Sequence, residues 1–189
     1  MSKSGRAKKA TTSNSSSLGI AIAVLVGIIA VGGVIWMNRA QASTIDGVTF
    51  MGVQQRGHAN GQLAFPNTPP VGGIHNATWQ NCGIYDQVVP NENGVHSLEH
   101  GAIWITYDPN LPAASVEQLR GLIRGRPYTL MSPYPGLPSP IVISAWGYQL
   151  NLTDANDARL PQFISQYANG TQAPEPGASC SGGAGQPLS

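Results

Sequence analysis

From Leu18 to Met37 the chain runs through twenty apolar or small residues without a charge. Crossing the hydrocarbon core of a bilayer takes about 20 residues of helix. In lipid such a run must be helical, because each backbone N–H and C=O has to find its partner within the segment. Lys3, Arg6, Lys8 and Lys9 precede it with no acid among them, and only Arg39 follows closely. That bias predicts a cytoplasmic N-terminus and an exported remainder. The competing reading is a secretory signal peptide cut near Ala40-Gln41-Ala42. Signal-peptide cores run to about 7–15 residues, so the length favours a retained anchor. The expected organisation is a disordered basic cytoplasmic tail over 1–17, a transmembrane helix over 18–37, a tether over 38–44, an extracytoplasmic domain over 45–180 and a flexible tail over 181–189. This describes a single-pass protein of the cell membrane that meets the lipid bilayer through residues 18–37.

The domain over 45–180 carries five arginines, no lysine and nine acids, a formal charge of −4. A mildly acidic domain without a basic run is a poor partner for nucleic acid. Its two cysteines, Cys82 and Cys180, face an oxidising compartment. Each stands alone without a C-x-x-C neighbour, which favours a disulfide between them over metal ligation.

Hydrophobic patterning predicts an α+β domain: a small mixed sheet covered by two helices, with long ordered loops. Strands are expected at Val48–Val53, Ala102–Tyr107, Tyr128–Met131 and Ile141–Trp146, the last continuing at Tyr148–Leu150, all rich in β-branched and aromatic residues. A helix over Ala113–Arg124 shows Val116, Leu119, Leu122 and Ile123 on one face. A second over Ala158–Ala168 repeats Leu160, Phe163, Ile164 and Tyr167 at i, i+3, i+4, i+7. Residues 57–94 are rich in Gly, Pro and Asn and read as a long ordered loop, which is uncommon and often functional. Ser132 to Pro140 reads as a rigid proline loop.

All four histidines, His58, His75, His96 and His100, fall in or beside that loop. Neutral imidazole is the commonest side-chain metal ligand. His96 and His100 are four apart, so a helical turn would put both on one face. On a strand they would be about 13 Å apart, too far for one ion. Asn93 is the expected cap and Gly101 the expected stop of such a turn. His75, flanked by Gly72 and Gly73, completes a three-histidine metal set, with His58 and Met131 as candidate further ligands. Copper is preferred to zinc, because imidazole with an optional thioether suits both copper oxidation states. The letters His96-x-x-Glu99-His100 also match the inverted zinc-protease pattern. A zinc-dependent hydrolase with Glu99 as base is therefore the third reading; otherwise Glu99 orients a histidine or pairs with an arginine. The second reading is a metal-free interaction domain or accessory subunit of a membrane complex, supported by the anchor and the Pro/Tyr loop.

Several segments together carry a resemblance: Pro69-Pro70-Val71-Gly72-Gly73-Ile74-His75, Asn81-Cys82-Gly83-Ile84-Tyr85, Val95-His96-Ser97-Leu98-Glu99-His100-Gly101, Ser132-Pro133-Tyr134-Pro135-Gly136 and Ser144-Ala145-Trp146-Gly147. In these the chain resembles the bacterial membrane-anchored family called domain of unknown function 3105, from about Val48 to Cys180. The resemblance implies an extracytoplasmic domain and an association with copper-handling proteins. It implies no particular activity.

Overall fold

The computed structural model describes residues 45–53 and 55–188. The tail, anchor and tether expected over 1–44 lie outside the described residues. Among the described residues, no helix is long and apolar enough to cross a membrane.

The chain forms β1 (Thr49–Phe50), β2 (Gly57–His58), β3 (Ile74–His75), β4 (Gly83–Ile84), α1 (Asn91–Glu99), β5 (Ile103–Tyr107), α2 (Ala113–Ile123), β6 (Thr129–Pro133), β7 (Ile141–Ala145), β8 (Tyr148–Leu152) and α3 (Arg159–Tyr167). The main sheet has the order β1-β8-β7-β5-β6-β4. It is parallel across β4, β6 and β5, and antiparallel from β5 through β7 and β8 to β1. β2 and β3 make a separate parallel pair. The α+β reading of the domain therefore holds, with three helices among the described residues where the hydrophobic pattern announced two. The third is the short histidine helix α1.

Strand alternation divides the interior into two cores. Ile103, Ile105, Met131, Ile141 and Ile143 point to one face, where Leu119 and Ile123 of α2 and Leu160, Phe163 and Ile164 of α3 cover them. Burying each such side chain contributes about 1.5–3 kcal/mol. Trp104 and Leu130 point to the other face and meet Val95 and Leu98 of α1, with Tyr85, Tyr134 and Trp146 closing the cluster. Both flanking helices were legible as amphipathic patterns because each buries one stripe. α1 was not, since Gly94 through Glu99 are all buried, polar residues included.

Several boundaries differ from the expectation. The strand expected at Val48–Val53 is only the edge pair β1. β6 runs on to Pro133, so the proline loop starts at Tyr134; Pro133 closes a strand end, a position that tolerates its missing N–H. Residues 181–188, expected as a flexible tail, pair with the body. Asn81 N–H donates to the Ala184 carbonyl at 2.8 Å, Ala184 N–H to Trp79 at 2.8 Å and Leu188 N–H to Ile84 at 2.8 Å. A Cys82–Cys180 disulfide, with Cα atoms 5.3 Å apart, holds the start of this segment.

Candidate metal centre

α1 begins at Asn91 behind Pro90, two residues before the expected cap. Asn93 instead donates its side-chain amide to the Thr78 carbonyl at 2.7 Å. The helix turns out at His100, and Gly101, at φ +97°, takes the left-handed conformation that suits glycine. His96, Glu99 and His100 stand at i, i+3 and i+4, so they share one face. The loop after β3 is laced along this helix. Asn76 N–H donates to the Glu92 carbonyl at 3.3 Å, and Ser97 Oγ–H donates to the Gln80 carbonyl at 2.7 Å. That lacing brings His75 beside His96, with ring centroids 4.8 Å apart. The parallel β2–β3 register pairs His58 with His75, and their rings lie 4.9 Å apart.

Four donors converge: one ligand atom each from His58, His75, His96 and Glu99, all within 4.8 Å of one another. His75, His96 and Glu99 are buried, while His58 is exposed at the mouth. His100 joins from the far side of His96, its Nε2 2.9 Å from the His96 Nε2 and 3.8 Å from Glu175 Oε2. Met131 is elsewhere. It faces α2 and α3 across the sheet from α1, because alternation along β6 sends Leu130 and Met131 to opposite sides.

The hydrogen bonds fix the ring tautomers. His75 Nδ1–H donates to the Gly73 carbonyl at 2.8 Å, His96 Nδ1–H to Asn76 at 2.6 Å and His100 Nδ1–H to Ser179 at 2.6 Å. A carbonyl oxygen only accepts, so each Nδ1 carries the hydrogen and each neutral ring presents a bare Nε2 lone pair. Those lone pairs then face other acceptors. His96 Nε2 meets His100 Nε2, and His75 Nε2 meets Glu99 Oε2 at 3.0 Å. Acceptors at such distances need a cation between them, either a proton or a metal. Burial pushes the His96 pKa down, outweighing the Asn76 carbonyl that raises it, and the neighbouring imidazoles His100, His75 and His58 lower it further. A proton is thus disfavoured on that ring. Imidazoles oriented by backbone carbonyls through their second nitrogen are the usual setting of metal-bound histidine.

Trp79 closes one side, its ring 5.0 Å from His100 and 5.7 Å from His96. Trp146 stands 6.0 Å from His75. Sequence reasoning gave Glu99 only a supporting or catalytic role, yet the spacing that paired His96 with His100 also places Glu99 on their face. The Ser179 carbonyl, the Trp79 cover and the neighbouring Glu175 had no sequence signal. Each depends on the chain returning from far away.

These features define a small α+β domain whose second layer, a short helix with a parallel two-strand ladder, presents a buried histidine–carboxylate cluster able to hold a metal ion. The chain belongs to the family described as Protein of unknown function (DUF3105), which it matches over residues 57–182. That span runs from the start of β2 past Cys180 and includes every donor of the cluster. No curated protein and no solved structure matches the chain.

Proposed function

We propose that this protein is a membrane-anchored, extracytoplasmic copper-binding module. His75, His96, His100 and Glu99 supply the ligands and His58 closes the site. The observation that carries the reading is the set of three imidazoles whose Nδ1–H groups are committed to carbonyls while their Nε2 lone pairs crowd one another and a carboxylate. A divalent ion relieves that crowding and compensates the buried Glu99 charge.

Donor spacing favours copper. For metal–nitrogen bonds of about 2.0–2.1 Å, tetrahedral donors lie roughly 3.4 Å apart, whereas donors at ~90° lie roughly 2.9 Å apart. The close pairs here are 2.9 and 3.0 Å. Tetragonal nitrogen–oxygen sites suit Cu(II). Zinc is the alternative ion. A zinc-dependent hydrolase needs Glu99 beside the ion as a base, whereas Glu99 Oε2 stands among the donors, 3.0 Å from His75 and 3.8 Å from His58. The anchor over 18–37 and its charge bias support export, and the Cys82–Cys180 bridge fits an oxidising compartment.

The test is metal analysis and titration of the full chain in detergent beside a His96→Ala/His100→Ala variant. One equivalent of copper, with quenching of the Trp79 fluorescence that is lost in the variant, is the expected result. Stoichiometric zinc with copper excluded would replace the ion but keep the site. Equal trace metal in both proteins would end the proposal and leave a metal-free interaction domain.

A further inference from the structure

A cavity lined in part by Cys82 and Cys180 contains none of the histidines in its walls. It measures about 570 Å³, and its walls include Arg120, Arg124 and Arg126, with Ile84, Ile123 and Leu188 supplying apolar surface. The described domain has five arginines and no lysine against nine acids, so three of its five cations converge on one hollow. The ordinary explanation is that cations gather at a helix C-terminus, where they complement the dipole. It accounts for Arg120 and for Arg124, which caps α2. It does not account for Arg126, beyond the helix and past the turn at Gly125, whose φ is +72°.

A carboxylate satisfies this group only in part. Glu117 accepts from Arg120 at 2.7 Å and lies 3.8 Å from Arg124, while Arg126 pairs with no acid among the described residues. Glu117 and Arg124 are both largely exposed, and exposed pairs contribute about 0–1 kcal/mol, so an incoming anion displaces that contact at little cost.

We propose that this cavity binds an organic anion with a phosphate or carboxylate head and an apolar body. The guanidinium groups take the head, with the fork geometry that suits such oxyanions. Ile84, Ile123 and Leu188 take the body. The site shares no residue with the histidine cluster, and its failure would leave the copper reading untouched.

The test uses phenyl phosphate as probe, titrated by calorimetry into the full chain held in phosphatidylcholine nanodiscs, beside an Arg124→Gln/Arg126→Gln variant. Both side chains are exposed, so the variant keeps its fold, checked by an unchanged melting temperature. Saturable one-to-one binding is expected, weakened roughly tenfold or more in the variant by loss of charge-assisted hydrogen bonds. Inorganic phosphate and phenol should each bind more weakly than phenyl phosphate. Repeating the titration in phosphatidylglycerol discs separates the sources of the anion. Competition there assigns the site to a lipid headgroup, and its absence assigns it to a soluble ligand. No saturable binding, or equal binding by the variant, overturns the proposal.

Discussion

Removing the disulfide with Cys82→Ser/Cys180→Ser should damage both stability and metal binding. The bridge joins residues 98 apart in sequence. Opening a loop of that length returns about 4.7 kcal/mol of chain entropy to the unfolded state. For a domain of this size each kcal/mol moves the melting temperature by about 2–4 °C, so the fall should be roughly 10–19 °C. The fold should survive at room temperature, because Ala184 and Leu188 remain hydrogen-bonded to the body on the far side of Cys180. The site should not be as tolerant. Ser179, next to Cys180, accepts the His100 Nδ1–H at 2.6 Å, and the Cys82 N–H to Cys180 carbonyl bond at 2.8 Å reinforces the same join. Loss of a partner that orients a metal-bound histidine typically weakens affinity about 10–100-fold. Thermal unfolding of the apo protein and copper affinity against a competing chelator measure the two effects. A melting temperature within about 3 °C of the parent would mean that hydrogen bonds alone already hold the segment. Lower stability with unchanged copper affinity would refute the proposed coupling between the bridge and the His100 ring.

Other outcomes are as specific. Gly94→Ala would set a Cβ 2.5 Å from the Trp104 ring; overpacking of this kind costs about 1–3 kcal/mol, more than the 1 kcal/mol or so gained in helix propensity, so urea denaturation should show a net loss, and a more stable variant would contradict the packing. The His96 pKa is held down by burial, so the unfolded chain takes up that proton first. The resulting stability is fully present above about pH 6.5 and is lost as pH falls toward the folded value. Apo His96→Gln should therefore lose less stability than the parent between pH 7 and 5, and parallel curves would count against it. Protease added to intact spheroplasts should digest the domain and spare the cytoplasmic tail, whereas a protected domain would reverse the topology.

What the sequence determined by itself is what depends on near neighbours. The stripe Leu160, Phe163, Ile164 and Tyr167 gives α3, and Leu119 with Ile123 gives α2. The β-branched runs at Ile103–Tyr107 and Ile141–Ala145 became the central strands. His96 and His100 meet because four residues make a turn of helix, and α1 is that turn. Two cysteines that each stand alone in the sequence were the expected pair, and Cys82 and Cys180 are bridged. Only the tertiary structure decided which further groups join the histidines. His58 reaches His75 through a two-residue ladder that closes across the loop between β2 and β3, and nothing local announces that register. Met131 goes to the opposite face because strand β6 alternates, and which face is which depends on where α1 packs. The Ser179 carbonyl arrives through a chain reversal fixed by the disulfide. Periodicity records how a segment meets its own neighbours along the chain, whereas a site assembled from β2, β3, α1 and the C-terminal segment is set by long-range closure, which no short window of residues encodes.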